Sequence, residues 1–143
     1  MDLRLEEMRD ERPGLSAELQ SRAFRTPWTD KRVQYVVYKG GNQVAILFFD
    51  LCVCDGLVLY ELFVAKEYRR RGIGTALIRE AEVVASSRGY SQLVLRPRPL
   101  EDGLSCEQLV RWYRARGFTP SVDRPDLLRK EVHCAPPSKD SEI

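Results

Sequence analysis

The sequence predicts one α+β domain: a central mixed, mainly antiparallel β-sheet with helices on its faces. Three observations carry this. Residues 32–64 are rich in β-branched and aromatic side chains and are broken by two turn signals. A helix-period segment over 73–88 lies between two extended runs, as a βαβ unit requires. A second helix is marked near residue 105 by a capping box. The chain has 143 residues and a mass of 16.5 kDa, enough to bury one core. Residues 1–134 are assigned to that single domain and the polar, proline-containing 135–143 to a frayed tail.

The elements follow in order. Leu15, Leu19, Ala23 and Phe24 recur at helical spacing, so 14–24 is expected to hold a short amphipathic helix. Residues 32–38 form a strand, Gly40-Gly41-Asn42 a tight turn, and 43–51 the returning strand of a hairpin. Asp55-Gly56 is a second hairpin turn. It leads into 57–64, a run apolar enough for a central strand. Ile73, Leu77, Ala81 and Val84 make one stripe of the helix over 73–88, and Gly89 suits its C′ position. Residues 91–96 are a strand, expected to lie parallel to 57–64. Ser105 and Gln108 form the capping box, and Leu104 with Leu109 fits a hydrophobic staple. Gly117 stops that helix, Phe118 begins an extended return, and 126–133 is a candidate final strand.

Composition narrows the chemistry. Charged residues make up 31% of the chain and the net charge is only +2, which argues against a histone-like nucleic-acid partner. A Ser-His-Asp site or a multi-histidine zinc site would have to rest on the single histidine, His133, so neither is expected, and no metal is expected. Cys52 and Cys54 form C-x-C, not C-x-x-C. With Cys106 and Cys134 they read as free thiols of a reducing, cytoplasmic setting. The N-terminus is too charged for a signal peptide. No apolar run approaches the roughly 20 residues of a membrane span.

The charge is unevenly placed. Residues 66–116 hold 11 basic and 6 acidic side chains, a net of +5, while 1–65 carry −2 and 117–143 carry −1. The excess begins at Val64-Ala65-Lys66-Glu67-Tyr68-Arg69-Arg70-Arg71-Gly72-Ile73-Gly74-Thr75, which runs from strand through loop to helix start. Glycines let backbone approach a ligand, and the first helical turn offers unpaired N–H groups at the positive end of the macrodipole. Such a junction suits a phosphate. It lacks the Gly-Lys-Ser/Thr of a P-loop and the G-x-G-x-x-G of a Rossmann site. Taken alone, it is also consistent with a helix start whose arginines are merely solvated.

Arg69-x-x-Gly72-x-Gly74 after Leu62-Phe63-Val64 resembles the acetyl-CoA signature of the GNAT family of N-acetyltransferases. Leu109 to Phe118 is similar to that family's helix ending in a tyrosine, three residues, then Gly-Phe. The resemblance covers about residues 33–133. It implies the acyl-CoA N-acyltransferase fold, with a splayed parallel strand pair, and acetyl-CoA as cosubstrate. The N–H groups from Arg70 through Arg71, Gly72, Ile73 and Gly74 to Thr75 would cradle the pyrophosphate, and Arg69 and Arg71 would add charge. The strand would bulge at Phe63 and Val64 and leave its neighbour, making room for pantetheine. Tyr113 would face the thioester sulfur. The family often has asparagine where this chain has Cys106, which puts one polar contact to the coenzyme in doubt.

The reaction implied is acetyl transfer to a primary amine by direct attack in a ternary complex. An amine of pKa about 10.4 must lose a proton before attack, and the departing thiolate is best met by an acid. Tyr113 is the candidate acid; its alternative is a packed core tyrosine. Glu61, the carboxylate within strand 57–64, is the candidate base; its alternative is an edge glutamate paired with arginine. Tyr60 lies on the other face by alternation and is less favoured. The acceptor, a small molecule or a protein amine, would meet residues 20–32 and 97–104. Phe24, Trp28, Glu101 and Asp102 lie there, and the two acids favour a cation. Arg96-Pro97-Arg98-Pro99 either shapes acceptor choice or is a solvated connection. A non-catalytic acyl-CoA sensor and a nucleic-acid-associated protein are the competing readings. Either a monomer or a homodimer fits the sequence.

Overall fold

The computed structural model describes residues 2–8, 14–26, 29–51, 56–99 and 103–132. Its strands are β1 (Leu3–Met8), β2 (Arg32–Lys39), β3 (Asn42–Asp50), β4 (Gly56–Val64), β5 (Gln92–Leu95), β6 (Thr119–Pro120) and β7 (Leu128–Glu131). Its helices are α1 (Ala17–Phe24), α2 (Ile73–Ser87) and α3 (Cys106–Arg114), with a 3-10 turn at Lys66–Tyr68. The seven strands form one sheet in the order β1-β2-β3-β4-β5-β7-β6. The one parallel neighbour pair in it is β4–β5, joined through α2, as the βαβ pattern predicted.

Alternation sorts the strands between two faces. Leu47, Phe49, Leu57 and Leu59 pack with Ile73, Leu77 and Ala81 of α2, with Leu93 and Leu95, and with Tyr113 and Phe118. Ile46, Phe48 and Phe63 point the other way and pack with Leu19 and Ala23 of α1. The sheet is therefore covered on both sides, α1 on one face and α2 and α3 on the other. Gly89 and Gly117 end α2 and α3 with φ of +84° and +99°, where a side chain would be strained. The capping box at α3 is complete: Gln108 N–H donates to Ser105 Oγ at 3.1 Å, and Ser105 N–H to Gln108 Oε1 at 2.8 Å.

Strand β1 was not foreseen. Leu3-Arg4-Leu5-Glu6-Glu7-Met8 does alternate, but its charges dominate the reading of the segment. On a sheet edge such charges are solvated, and here Arg4 pairs with Glu6 at 2.9 Å. Asp55, Cys52, Cys54, His133 and Cys134 lie outside the described residues, so the second hairpin turn and most of the thiols do too. No described helix is long and apolar enough to cross a membrane.

Candidate functional site

Strands β4 and β5 pair only from Gly56–Gln92 to Val58–Val94. Gly56 is the residue that permits it, because an added Cβ would collide with the Val94 side chain. Beyond Val58 the strands part. The register of β3 against β4 slips between Phe48–Glu61 and Phe49–Leu59, so Tyr60 is the extra residue of a β-bulge. The bulge is thus at Tyr60, not at Phe63 and Val64 as expected from the sequence. It sits next to the point of divergence, where added twist turns β4 away from β5. The unpaired β4 edge from Leu59 to Val64 then forms one wall of a cavity of about 630 Å³.

One end of that cavity is made of backbone. The β4 end is held by Ala65 N–H to the Val44 carbonyl at 2.8 Å, and Arg69 Nε reaches back to the Val64 carbonyl at 2.9 Å. Glu18 of α1 accepts from Lys66 N–H at 2.9 Å, tying α1 to the same loop. Arg70 and Gly72 then take left-handed conformations, with φ of +63° and +79°. Arg70 bears that conformation without being glycine, at a cost of order 1 kcal/mol. The result is a concave run of amides leading into α2. The N–H groups from Arg70 to Thr75 donate no backbone hydrogen bond among the described residues; the first to do so is Ala76, to the Gly72 carbonyl at 3.1 Å. Such a nest, at the positive end of a helix, fits the paired phosphates of a coenzyme.

The opposite wall is α3. Tyr113 lies edge-on between Trp112 (centroids 5.0 Å apart) and Phe118 (5.5 Å). This gives the spacing of Tyr113 to Gly117-Phe118 a physical reason. Gly117 reverses the chain so that the Phe118 N–H meets the Tyr113 carbonyl at 3.3 Å and its ring reaches Tyr113. Tyr113 lines the cavity, and its hydroxyl bonds no described residue. Burial pushes its pKa up to about 12. Arg116 bonds Thr75 Oγ1 at 3.1 Å and the Trp112 carbonyl at 2.8 Å, joining the end of α3 to the start of α2. A Cβ on Gly74 would stand 3.2 Å from the Trp112 ring, so that contact is already close.

Glu61 stands in the β4 wall, its side chain 1% exposed. Arg22 of α1 grips it with Nε at 3.0 Å and Nη2 at 3.2 Å, and Thr26 Oγ1 donates at 2.8 Å. The carboxylate therefore occurs in its arginine-paired form. A carboxylate has about four lone-pair positions, so three donors leave it one more. Beside it, the Tyr60 ring lies under Arg32 at 4.0 Å and Arg98 at 4.4 Å. Arg98 Nη2 also donates to the Tyr60 carbonyl at 3.1 Å.

The structure thus brings Tyr113, Glu61, Phe63, Val64, Arg69, Arg70, Gly72, Gly74 and Thr75 to one cavity. It does not bring every candidate there. Ile73 is buried in the α2 core and offers only its backbone. Arg71 is exposed, with its guanidinium 5.7 Å from the Tyr68 ring. Cys106 is exposed at the start of α3, its sulfur 3.8 Å from the Pro97 carbonyl, and does not line the cavity. Phe24 is 85% exposed. Trp28, Glu101 and Asp102 lie outside the described residues. Arg22 and Thr26 were not singled out from the sequence. Alternation set Tyr60 on the face opposite Glu61, but the bulge brings both to this cavity. Arg98 stood only within a loop that either shapes acceptor choice or is a solvated connection. Only the prolines around Arg98 hinted at a fixed loop. Among the described residues, no group of three or more His, Cys, Asp or Glu is placed to hold a metal.

Residues 30–120, well over half of the chain, match the profile of the "Acetyltransferase (GNAT) domain". The chain belongs to the GNAT acetyltransferase family. Family membership makes it an acetyl-CoA-dependent N-acetyltransferase. Solved GNAT structures share the fold. One is a GNAT family acetyltransferase from Elizabethkingia anophelis with acetyl-CoA bound (TM-score 0.64, 15% identity, covering 91% of this chain and 98% of that one). Another is the ribosomal-protein-S18-alanine N-acetyltransferase from Escherichia coli (0.60, 16%, 96% and 98%). A third is an IAA acetyltransferase from Bacillus cereus (0.64, 17%, 92% and 100%). No curated protein sequence matches the chain.

Proposed function

We propose that this GNAT domain transfers acetyl from acetyl-CoA to a primary amine by direct attack in a ternary complex. The observation that carries the reading is the opening between β4 and β5 beyond Val58 and Val94, with free amides at one end and Tyr113 on its wall. The amides of Arg70 to Thr75 take the pyrophosphate, with Arg69 and Arg70 beside it. The unpaired edge of β4 from Leu59 to Val64 pairs with the pantetheine amides as an added strand would.

The deprotonated amine attacks the thioester carbonyl carbon. A C–N bond forms, the C–S bond breaks, and sulfur leaves as thiolate. The amine proton passes to a water on the remaining lone-pair position of Glu61 and from there to solvent. Tyr113 donates a hydrogen bond to the departing sulfur. Burial pushes its pKa up to about 12, so the hydroxyl stays protonated and has a proton to offer that sulfur. Tyr113 thereby stabilises the developing charge.

The test is thiol release from acetyl-CoA across a panel of amines, peptides included. Release that depends on added amine is expected. If the protein binds acetyl-CoA and releases no thiol with any amine, the chain is a sensor and this reading fails.

A further inference from the structure

The charge at the acceptor end points to the kind of amine. Along β4 the cavity runs from the amide nest near Gly72 to Tyr60 at the bulge. Glu61 is the only carboxylate among the described residues of its wall. Its charge is already met by the bidentate Arg22, and its third donor is Thr26. Among the described residues, a second ammonium on an acceptor, as in a polyamine, would find no free carboxylate there.

Arginine is in the opposite position. Arg98 is attached twice to the residue preceding Glu61, through the Tyr60 carbonyl at 3.1 Å and over the Tyr60 ring at 4.4 Å. These contacts hold the planar guanidinium in place, so less rotamer freedom is lost on binding. They use one of its nitrogens, and its other donors meet no acceptor among the described residues. Nearby Arg32 adds positive potential at the same ring, although its own fork is closed on Asp50 at 2.7 Å and 3.2 Å. Arg96 pairs with Asp126 at 2.9 Å. Arg98 is left as a preset fork beside the acceptor end, the geometry that binds a carboxylate in two places.

We propose that the acceptor is an amine that also carries a carboxylate, with Arg98 holding that carboxylate while the amine meets the thioester. This rests on the acetyltransferase reading above. The test compares amines matched in length that end in a carboxylate, a carboxamide or a second ammonium: 4-aminobutyrate, 4-aminobutanamide and 1,4-diaminobutane, with an α-amino acid series beside them. Each is assayed by thiol release in the full chain. The carboxylated amines should show the highest kcat/KM, by about 10-fold or more, the scale of a charge-assisted hydrogen bond. Arg98→Ala and Arg98→Gln should collapse the carboxylate-to-carboxamide ratio toward one by raising KM for the carboxylated amines. The KM for acetyl-CoA should hardly move.

Preference for the diamine, abolished by Glu101→Gln with Asp102→Asn, overturns the proposal in favour of a cationic acceptor. Arg98 variants whose defect falls on acetyl-CoA overturn it too, because the fork then belongs to the coenzyme. Acetylation of all the amines alike refutes the carboxylate preference and leaves the acetyltransferase reading standing. Thiol release with none of these amines, while peptides in the wider panel do support it, overturns the carboxylate preference alone. Release with neither, while acetyl-CoA still binds by calorimetry, removes both readings.

Discussion

The two ends of the cavity are built from different material. The end proposed for the coenzyme is backbone: amides from Arg70 to Thr75, two left-handed residues and a helix start, all from one continuous stretch. The end proposed for the acceptor is side chain: Glu61 from β4, Arg22 from α1, Thr26 just after it, and Arg98 beyond β5. Backbone recognition tolerates most substitutions that leave φ and ψ alone. Side-chain recognition fails when one distant partner is removed. The difference suggests a fixed coenzyme device beside a tunable acceptor device on one sheet.

The largest effect is expected where the acceptor end is buried. Arg22→Ala leaves Glu61 with an unpaired charge at 1% exposure and should cost about 3–5 kcal/mol of folding stability by urea unfolding. Combining it with Glu61→Leu should restore much of the loss. If Arg22→Ala is harmless, the pair is not what docks α1.

Next comes Tyr113, whose raised pKa gives a signed prediction. The unfolded phenol ionises near 10 and the folded one near 12. Burial of the neutral form thus contributes fully below pH 10 and is lost as pH rises toward 12, by about 2–3 kcal/mol. Tyr113→Phe should remove that alkaline dependence, measured by urea unfolding at pH 9 to 12. An unchanged slope would show that the phenol is already hydrated.

A smaller effect is expected at the coenzyme end. Gly72→Ala places a Cβ at φ +79° and should cost about 1–2 kcal/mol, read as roughly 5- to 30-fold weaker acetyl-CoA binding by calorimetry. Arg71→Ala changes charge but no amide, so it should weaken binding less than Gly72→Ala does. The reverse order would mean that charge, not backbone, holds the pyrophosphate.

The smallest concerns Gln34, fully buried on β2 between the β1 and β3 strands, with neither side-chain oxygen nor nitrogen bonded among the described residues. Gln34→Leu should be neutral or stabilising by about 1 kcal/mol, since it removes an unsatisfied group. A loss of stability would show that the amide has a partner in the folded protein.

The same contrast explains what was legible in the sequence. The nest was readable because its residues are contiguous and its glycines have a geometric task. The helix α3 was readable from Ser105 and Gln108, and the resemblance singled out Tyr113, which the fold brings to the cavity wall. The grip of Arg22 on Glu61 spans 39 residues. Nothing local marks Arg22, on a short helix, as different from any solvated arginine. The alternative pairing of Glu61 with an arginine was foreseen without its partner. The bulge was misplaced by several residues because alternation in an apolar strand does not show where one residue is extra. Only the register against β3 reveals Tyr60. Strand β1 escaped because edge charges and an unstructured charged segment look alike in one sequence.

In the proposed reaction Tyr113 serves the chemistry at the sulfur and not the binding of the coenzyme. The direct measurement is kcat for amine-dependent thiol release by Tyr113→Phe, beside its acetyl-CoA Kd. A fall in kcat of about 100-fold with Kd within about twofold of wild type is predicted. Turnover equal to wild type, or a loss confined to coenzyme affinity, would contradict it.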